Sequence, residues 1–164
     1  MMTRVRATLA GLLLLLLLAG CGGGAFGGLP LTSDSVSGTT VSRQVRYFDE
    51  GEAGPAYTFS VTVPESWVGR VTTTSNGSLV TFNYVTDAGR AAPLFTIHTL
   101  SESQYWAQNG NEPTRFGNLA VTRETYFIYN VPLDAYYSGL PKAQFDALVA
   151  EIPAIVASFS VQPG

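Results

Sequence analysis

Tyr57, Phe59, Val61 and Val63 alternate with Thr58, Ser60 and Thr62. A period of two puts one set of side chains on a buried face and the other toward solvent, so this segment must be a half-buried strand. Pro64, which lacks a backbone donor, ends it. Asn76-Gly77 then stands between two β-prone runs, and its backbone suits a tight hairpin. The pattern predicts a strand over 67–74 before that turn. The return strand over 79–85 carries Val80, Phe82 and Tyr84 on one face. Asp87-Ala88-Gly89 makes another turn, and 94–100 reads as a fourth strand. Lys occurs once, at Lys142, while Phe and Tyr number 9 and 8. This bias favours strands over helices.

The local chemistry changes at Ser101. Ser101 with Gln104 forms a capping box, and Leu100 and Tyr105 hold the staple positions around it. A short helix over 102–108 is expected, ended by Asn109-Gly110. Residues 116–121 and 124–131 read as a further strand pair. A Tyr- and Pro-rich loop spans 132–140. The last helix starts at Pro141 and aligns Phe145, Leu148, Val149, Ile152, Ile155 and Val156 on one face. Pro153 should kink it or end it early. Phe159 and Val161 point to a closing strand. The domain is expected over residues 43–164. Residues 21–42, rich in Gly, Ser and Thr, are expected to be a flexible linker because they carry too little apolar surface for a core. Gly22, Gly24 and Gly27 match G-x-G-x-x-G but lack the strand before and helix after that a dinucleotide site needs.

At the start of the chain, Arg4 and Arg6 precede an unbroken apolar run from Leu12 to Leu18, then Ala19-Gly20-Cys21. This is the three-part layout of a secretory signal peptide over residues 1–20. Residues 7–19 fall short of the roughly 20 apolar residues that span a bilayer. Cys21 is the only cysteine, so it has no disulfide partner within the chain. The segment Leu18-Ala19-Gly20-Cys21 resembles the lipobox of bacterial lipoproteins. That resemblance implies cleavage before Cys21, acylation of its thiol, and a lipid-anchored protein on the extracytoplasmic side of the cell envelope. Each buried acyl methylene contributes about 0.8 kcal/mol, so two or three chains anchor stably.

Without residues 1–20 the chain has seven basic and twelve acidic residues and a net charge of −5 with His98 neutral. An acidic domain with no basic stripe is ill suited to nucleic acid. It also gains no attraction to anionic lipid, which leaves the anchoring to the acyl chains.

The run Tyr57-Thr58-Phe59-Ser60-Val61-Thr62-Val63-Pro64-Glu65-Ser66-Trp67 resembles the opening strand of small bacterial lipoproteins, F-x-x-x-x-P-x-x-W. With the hairpin, the Leu94-Phe95-Thr96-Ile97 strand, the aromatic-bearing helix and the closing helix, the layout resembles a PsbP-like α/β/α sandwich. The resemblance implies an α+β fold with a single twisted antiparallel sheet flanked by helices. It also implies a usually non-enzymatic binding or assembly domain. No cofactor is expected, and another envelope protein is the expected partner.

No catalytic frame is legible. His98 is the only histidine; zinc needs three or four N/S ligands, and no G-x-S-x-G accompanies it for acyl transfer. Asp49, Glu50 and Glu52 lack EF-hand spacing and read as a solvated loop. The candidate binding residues are aromatic: Trp67, Tyr105, Trp106, Tyr136 and Tyr137, placed at element edges or in loops. Such rings bury large area with few rotors to freeze. The competing reading is core packing, and it is favoured for Trp67. An aromatic-lined pocket for a small molecule or glycan is the alternative to a protein partner.

Overall fold

A computed structural model describes residues 31–111 and 116–164. The signal segment, Cys21 and the first part of the linker lie outside the described residues. The architecture is α+β with antiparallel sheets. The larger sheet has six strands: β1 (Thr32–Ser35), β6 (Val71–Ser75), β7 (Leu79–Val85), β8 (Ala91–Ser101), β10 (Thr125–Asn130) and β9 (Phe116–Thr122), in that spatial order. A three-stranded sheet is ordered β11 (Ser160–Pro163), β5 (Tyr57–Thr62), β2 (Thr40–Val45). A small hairpin joins β3 (Phe48–Asp49) to β4 (Glu52–Ala53).

Two expectations are corrected. The single sheet is in fact two main sheets. After β5 the chain turns through a 3-10 segment, Glu65–Trp67, in which the Trp67 amide donates to Pro64 O at 3.0 Å. The turn carries the chain out of the small sheet, so β6 pairs with β1 and β7 and starts at Val71, not at Trp67. Residues 32–42, assigned to the linker, instead build β1 and the start of β2. Every β1 side chain is exposed, so backbone bonds to β6 hold that strand. Val36 and Val41 are buried beside it.

The core fills the space between the two sheets and the closing helices. β5 contributes Tyr57, Phe59 and Val61; the large sheet contributes Val71, Val80, Phe82, Phe95, Ile97 and Phe127. Tyr57 meets Phe127 edge-on at 5.5 Å, and Phe82 stacks on Phe95 at 4.3 Å. Phe145 of α3 (Lys142–Val149) and Ile152 and Ile155 of α4 (Ile152–Ala157) close this core. Pro153 splits the closing helix as expected: α3 ends at Val149, and the proline occupies the first turn of α4, where its missing donor costs little.

The opposite face of the large sheet carries α1 (Glu102–Asn111). Residues paired across antiparallel strands share a face. Tyr126 opposes Leu100 and Val121, one residue out of phase with core-facing Phe127. Tyr105 stacks on Tyr126 at 4.3 Å, and its hydroxyl donates to Asn118 at 3.1 Å. The capping box forms as read: Ser101 N donates to Gln104 Oε1 and Gln104 N to Ser101 Oγ, both at 3.1 Å. The Asn76-Gly77 turn also forms, with Asn76 Oδ1 accepting from the amides of Ser78 and Leu79. Among the described residues, no helix is long and apolar enough to cross a membrane.

Candidate functional site: two clefts at opposite ends of β10

β10 leaves the sheet at Asn130, and the chain then lines a groove of about 740 Å³. Its walls are mainly apolar: Tyr129, Val131, Pro132 and Leu133 on one side, Phe145, Val149 and Ile152 on the other. The 132–140 segment is not all loop: it holds a four-residue helix, α2 (Ala135–Ser138). Asp134 caps it by accepting from the Tyr136 amide at 2.9 Å. Gly139 closes it at φ 72°, a left-handed conformation that costs glycine little. Fixed at both ends, α2 holds Tyr136 and Tyr137 outward at 87% and 61% exposure. Their rings pack edge-to-face at 5.7 Å. Leu133 beside them is 59% exposed.

The groove floor depends on a missing side chain. Tyr129 opposes Gly117 across β10–β9, and a Cβ on Gly117 would lie 2.0 Å from the Tyr129 ring. Glycine lets the ring lie flat over the neighbouring strand. Lys142 and Asp146 are charged residues on the rim, and they pair with each other at 2.6 Å. An exposed i,i+4 pair of this kind contributes about 0.3–0.5 kcal/mol.

The second cleft lies where β8 ends and β10 begins, and encloses about 730 Å³. Asp49, Glu50, Glu52, Glu102 and Glu124 line it, with Tyr47 and Trp106. One of these carboxylates, Asp49, is committed to the fold. Asp49 Oδ2 accepts from Ser101 and Ser103 hydroxyls, each at 2.5 Å. Those bonds hold its carboxyl below the ordinary range. Gln104 Nε2 donates to Phe48 O at 2.7 Å, so the β3–β4 hairpin is tied to α1. Desolvation, then the charges of Glu124 and Asp49, raise the Tyr47 hydroxyl pKa.

The five candidate aromatics therefore separate into three places. Trp67 is fully buried, packed on Phe95, with its indole N–H donating to Glu151. As a binding residue it is a correction: the 3-10 turn folds its ring under the closing helices, where no partner reaches it. Tyr105 is half-buried on Tyr126. Trp106, 60% exposed, borders the acidic cleft. Tyr105 and Trp106 meet edge-to-face at 5.3 Å, and Tyr136 and Tyr137 share the groove end of the molecule. Leu133, Val131 and Phe145 complete it and were not singled out from the sequence; the signal was an apolar Val131-Pro132-Leu133 run continuing past the strand.

His98 Nε2 lies 3.0 Å from Thr96 Oγ1 and 3.3 Å from Asn130 Nδ2, an arrangement suited to a neutral ring accepting from both. Burial lowers its pKa, and these partners include no carboxylate to orient a catalytic base. Among the described residues, no group of three or more His, Cys, Asp or Glu is placed to hold a metal ion. The chain matches no protein-family model, no curated protein and no solved structure.

Proposed function

We propose that this is a lipid-anchored, extracytoplasmic binding module that uses the tyrosine groove to hold an apolar surface of another envelope protein. The observation that carries the reading is the outward pair Tyr136 and Tyr137, flanked by exposed Leu133, beside a groove of about 740 Å³. These side chains face water on a helix rigidly capped at both ends, so little ordering entropy stands against binding. The acyl anchor at Cys21 and the PsbP-like layering belong to the same proposal. The lipobox resemblance supports the first, and α1 on one face of the sheet with the closing helices on the other supports the second.

A groove of this volume is also of ligand size, which favours a small apolar molecule as the second reading. The near-perpendicular Tyr136 and Tyr137 rings, at 83°, do not offer the flat platform on which a sugar stacks. The test is affinity purification of the lipidated protein from native membranes in mild detergent. A stoichiometric partner retained by wild type and lost from the Tyr136→Ala/Tyr137→Ala double variant is expected. Recovery of the protein alone, with a melting temperature that rises with added apolar ligand, would replace the protein partner by the small molecule.

A further inference from the structure

Three buried hydroxyls lie together where β8 ends and β10 begins. The Oγ1 atoms of Thr99, Thr122 and Thr125 make no hydrogen bond within the protein, although Thr125 is 0% and Thr99 1% exposed and Thr122 is half-buried. Thr125 stands directly opposite Ser101 on β8 and Thr122 on β9. Thr99 stands opposite Phe127, two residues along β10 from Thr125. Cross-strand partners share a face, and so do alternate residues of one strand. All three threonines therefore project toward the core with Phe127. Tyr57 of the small sheet reaches the same spot: its ring meets Phe127 edge-on at 5.5 Å, and its hydroxyl donates to Thr122 O at 3.5 Å. The fourth hydroxyl of the row, on Ser101, is satisfied by Asp49.

A buried hydroxyl without a partner weakens a fold, and valine fills nearly the same space without that cost. Three such threonines side by side call for an occupant that can both donate and accept, as each hydroxyl can. The three are neutral, whereas hard cations draw on carboxylate oxygens, so charge selects against a metal ion and for water. Thr99 and Thr125 are diagonal neighbours, with Cβ atoms about 7–8 Å apart. A hydroxyl–water–hydroxyl bridge uses two bonds of about 2.8 Å and spans that gap. We propose that Thr99, Thr122 and Thr125 form an internal water site, in which at least one resident water bridges β8, β9 and β10 beneath Tyr57. Such a water completes the hydrogen bonding of side chains on three strands and fastens this end of the large sheet. The site is separate from the tyrosine groove, which opens at the other end of β10, and it stands or falls independently of the binding function.

The experiment compares the full chain, purified in mild detergent, with Thr99→Val, Thr125→Val and the double variant. Valine keeps the shape and removes only the hydroxyl. A hydroxyl bonded to resident water is missed when it is removed, so each single variant is expected to melt lower, its folding constant reduced roughly threefold to tenfold. The double variant is expected to lose less than the two single losses combined, because both hydroxyls serve the same water. Melting temperatures that stay level or rise overturn the proposal, since they mean that valine has relieved an orphaned hydroxyl; strictly additive losses overturn the shared water. A crystal structure of the unsubstituted protein tests the site without any variant. Ordered solvent within hydrogen-bonding distance of at least two of the three hydroxyls is expected, and a dry site overturns the proposal.

Discussion

The two clefts flanking β10 are nearly equal in volume, about 740 and 730 Å³, yet their side chains are committed very differently. In the acidic cleft, Asp49, Ser101, Ser103 and Gln104 are joined by hydrogen bonds that fasten the β3–β4 hairpin to α1. In the tyrosine groove, Asp134 bonds the backbone of α2 and Lys142 pairs with Asp146 on the rim, while Tyr136, Tyr137 and Leu133 project into water. Burying an aromatic ring stabilises a protein, whereas leaving one exposed gains nothing for the fold. The contrast separates residues that build the domain from residues left over for a partner. Of the Asp49-Glu50-Gly51-Glu52 run, Asp49 is taken up by the fold through Ser101 and Ser103, while Glu50 and Glu52 are exposed.

The comparison breaks most visibly with tryptophan against tyrosine. Trp67→Ala empties a fully buried site and is expected to cost about 3–5 kcal/mol. Tyr136→Ala with Tyr137→Ala should stay within about 0.5 kcal/mol of wild type per site, as for surface positions generally. Urea unfolding of the three proteins measures both. A double-tyrosine variant as unstable as Trp67→Ala would mean that the groove rings are structural.

Gln104→Ala removes a capping bond and the tie to Phe48, for an expected loss of about 1–2 kcal/mol. Proteolysis of the 48–53 hairpin should accelerate in this variant; unchanged cleavage would show the hairpin to be held by other contacts.

Acid sharpens the contrast further. Asp49 is held below its ordinary pKa, so its contribution is full above about pH 4 and disappears as pH falls through the lowered value. The melting temperatures of wild type and Asp49→Asn should therefore differ at pH 6 and draw together as pH falls through the lowered value. A constant gap would dissociate Asp49 ionisation from hairpin attachment.

The smallest effect belongs to His98. Burial favours its neutral form, so folding is weakened as pH drops below about 6.5, where the unfolded chain takes up the proton first. As the only histidine, its ring resonances can be followed by NMR without ambiguity. A titration midpoint at or above the ordinary value would contradict the buried, neutral ring.

Where structure follows from neighbours in sequence, it was legible. The alternation in β5, the Asn76 turn, the Ser101–Gln104 capping box and the break at Pro153 are all local, and each formed. The division into two sheets depends on which distant strands pair, and β5 carries the same alternation whether it pairs with β6 or with β2. Residues 32–35 looked like linker because an edge strand with every side chain in water needs no apolar residue. Within the site, Tyr136 and Tyr137 were legible as loop aromatics between prolines. The groove beside them was not, since Phe145 and Val149 reach it only through the packing of α3 on β8.

The central claim is that the tyrosine end, and not the acidic end, engages a protein. A photo-crosslinking residue placed at Tyr137 or at Trp106 in the lipidated protein, irradiated in intact cells, tests it directly. A discrete higher-mass adduct is expected from position 137 and none from 106. An adduct from position 106 alone, or none from either position, would contradict it.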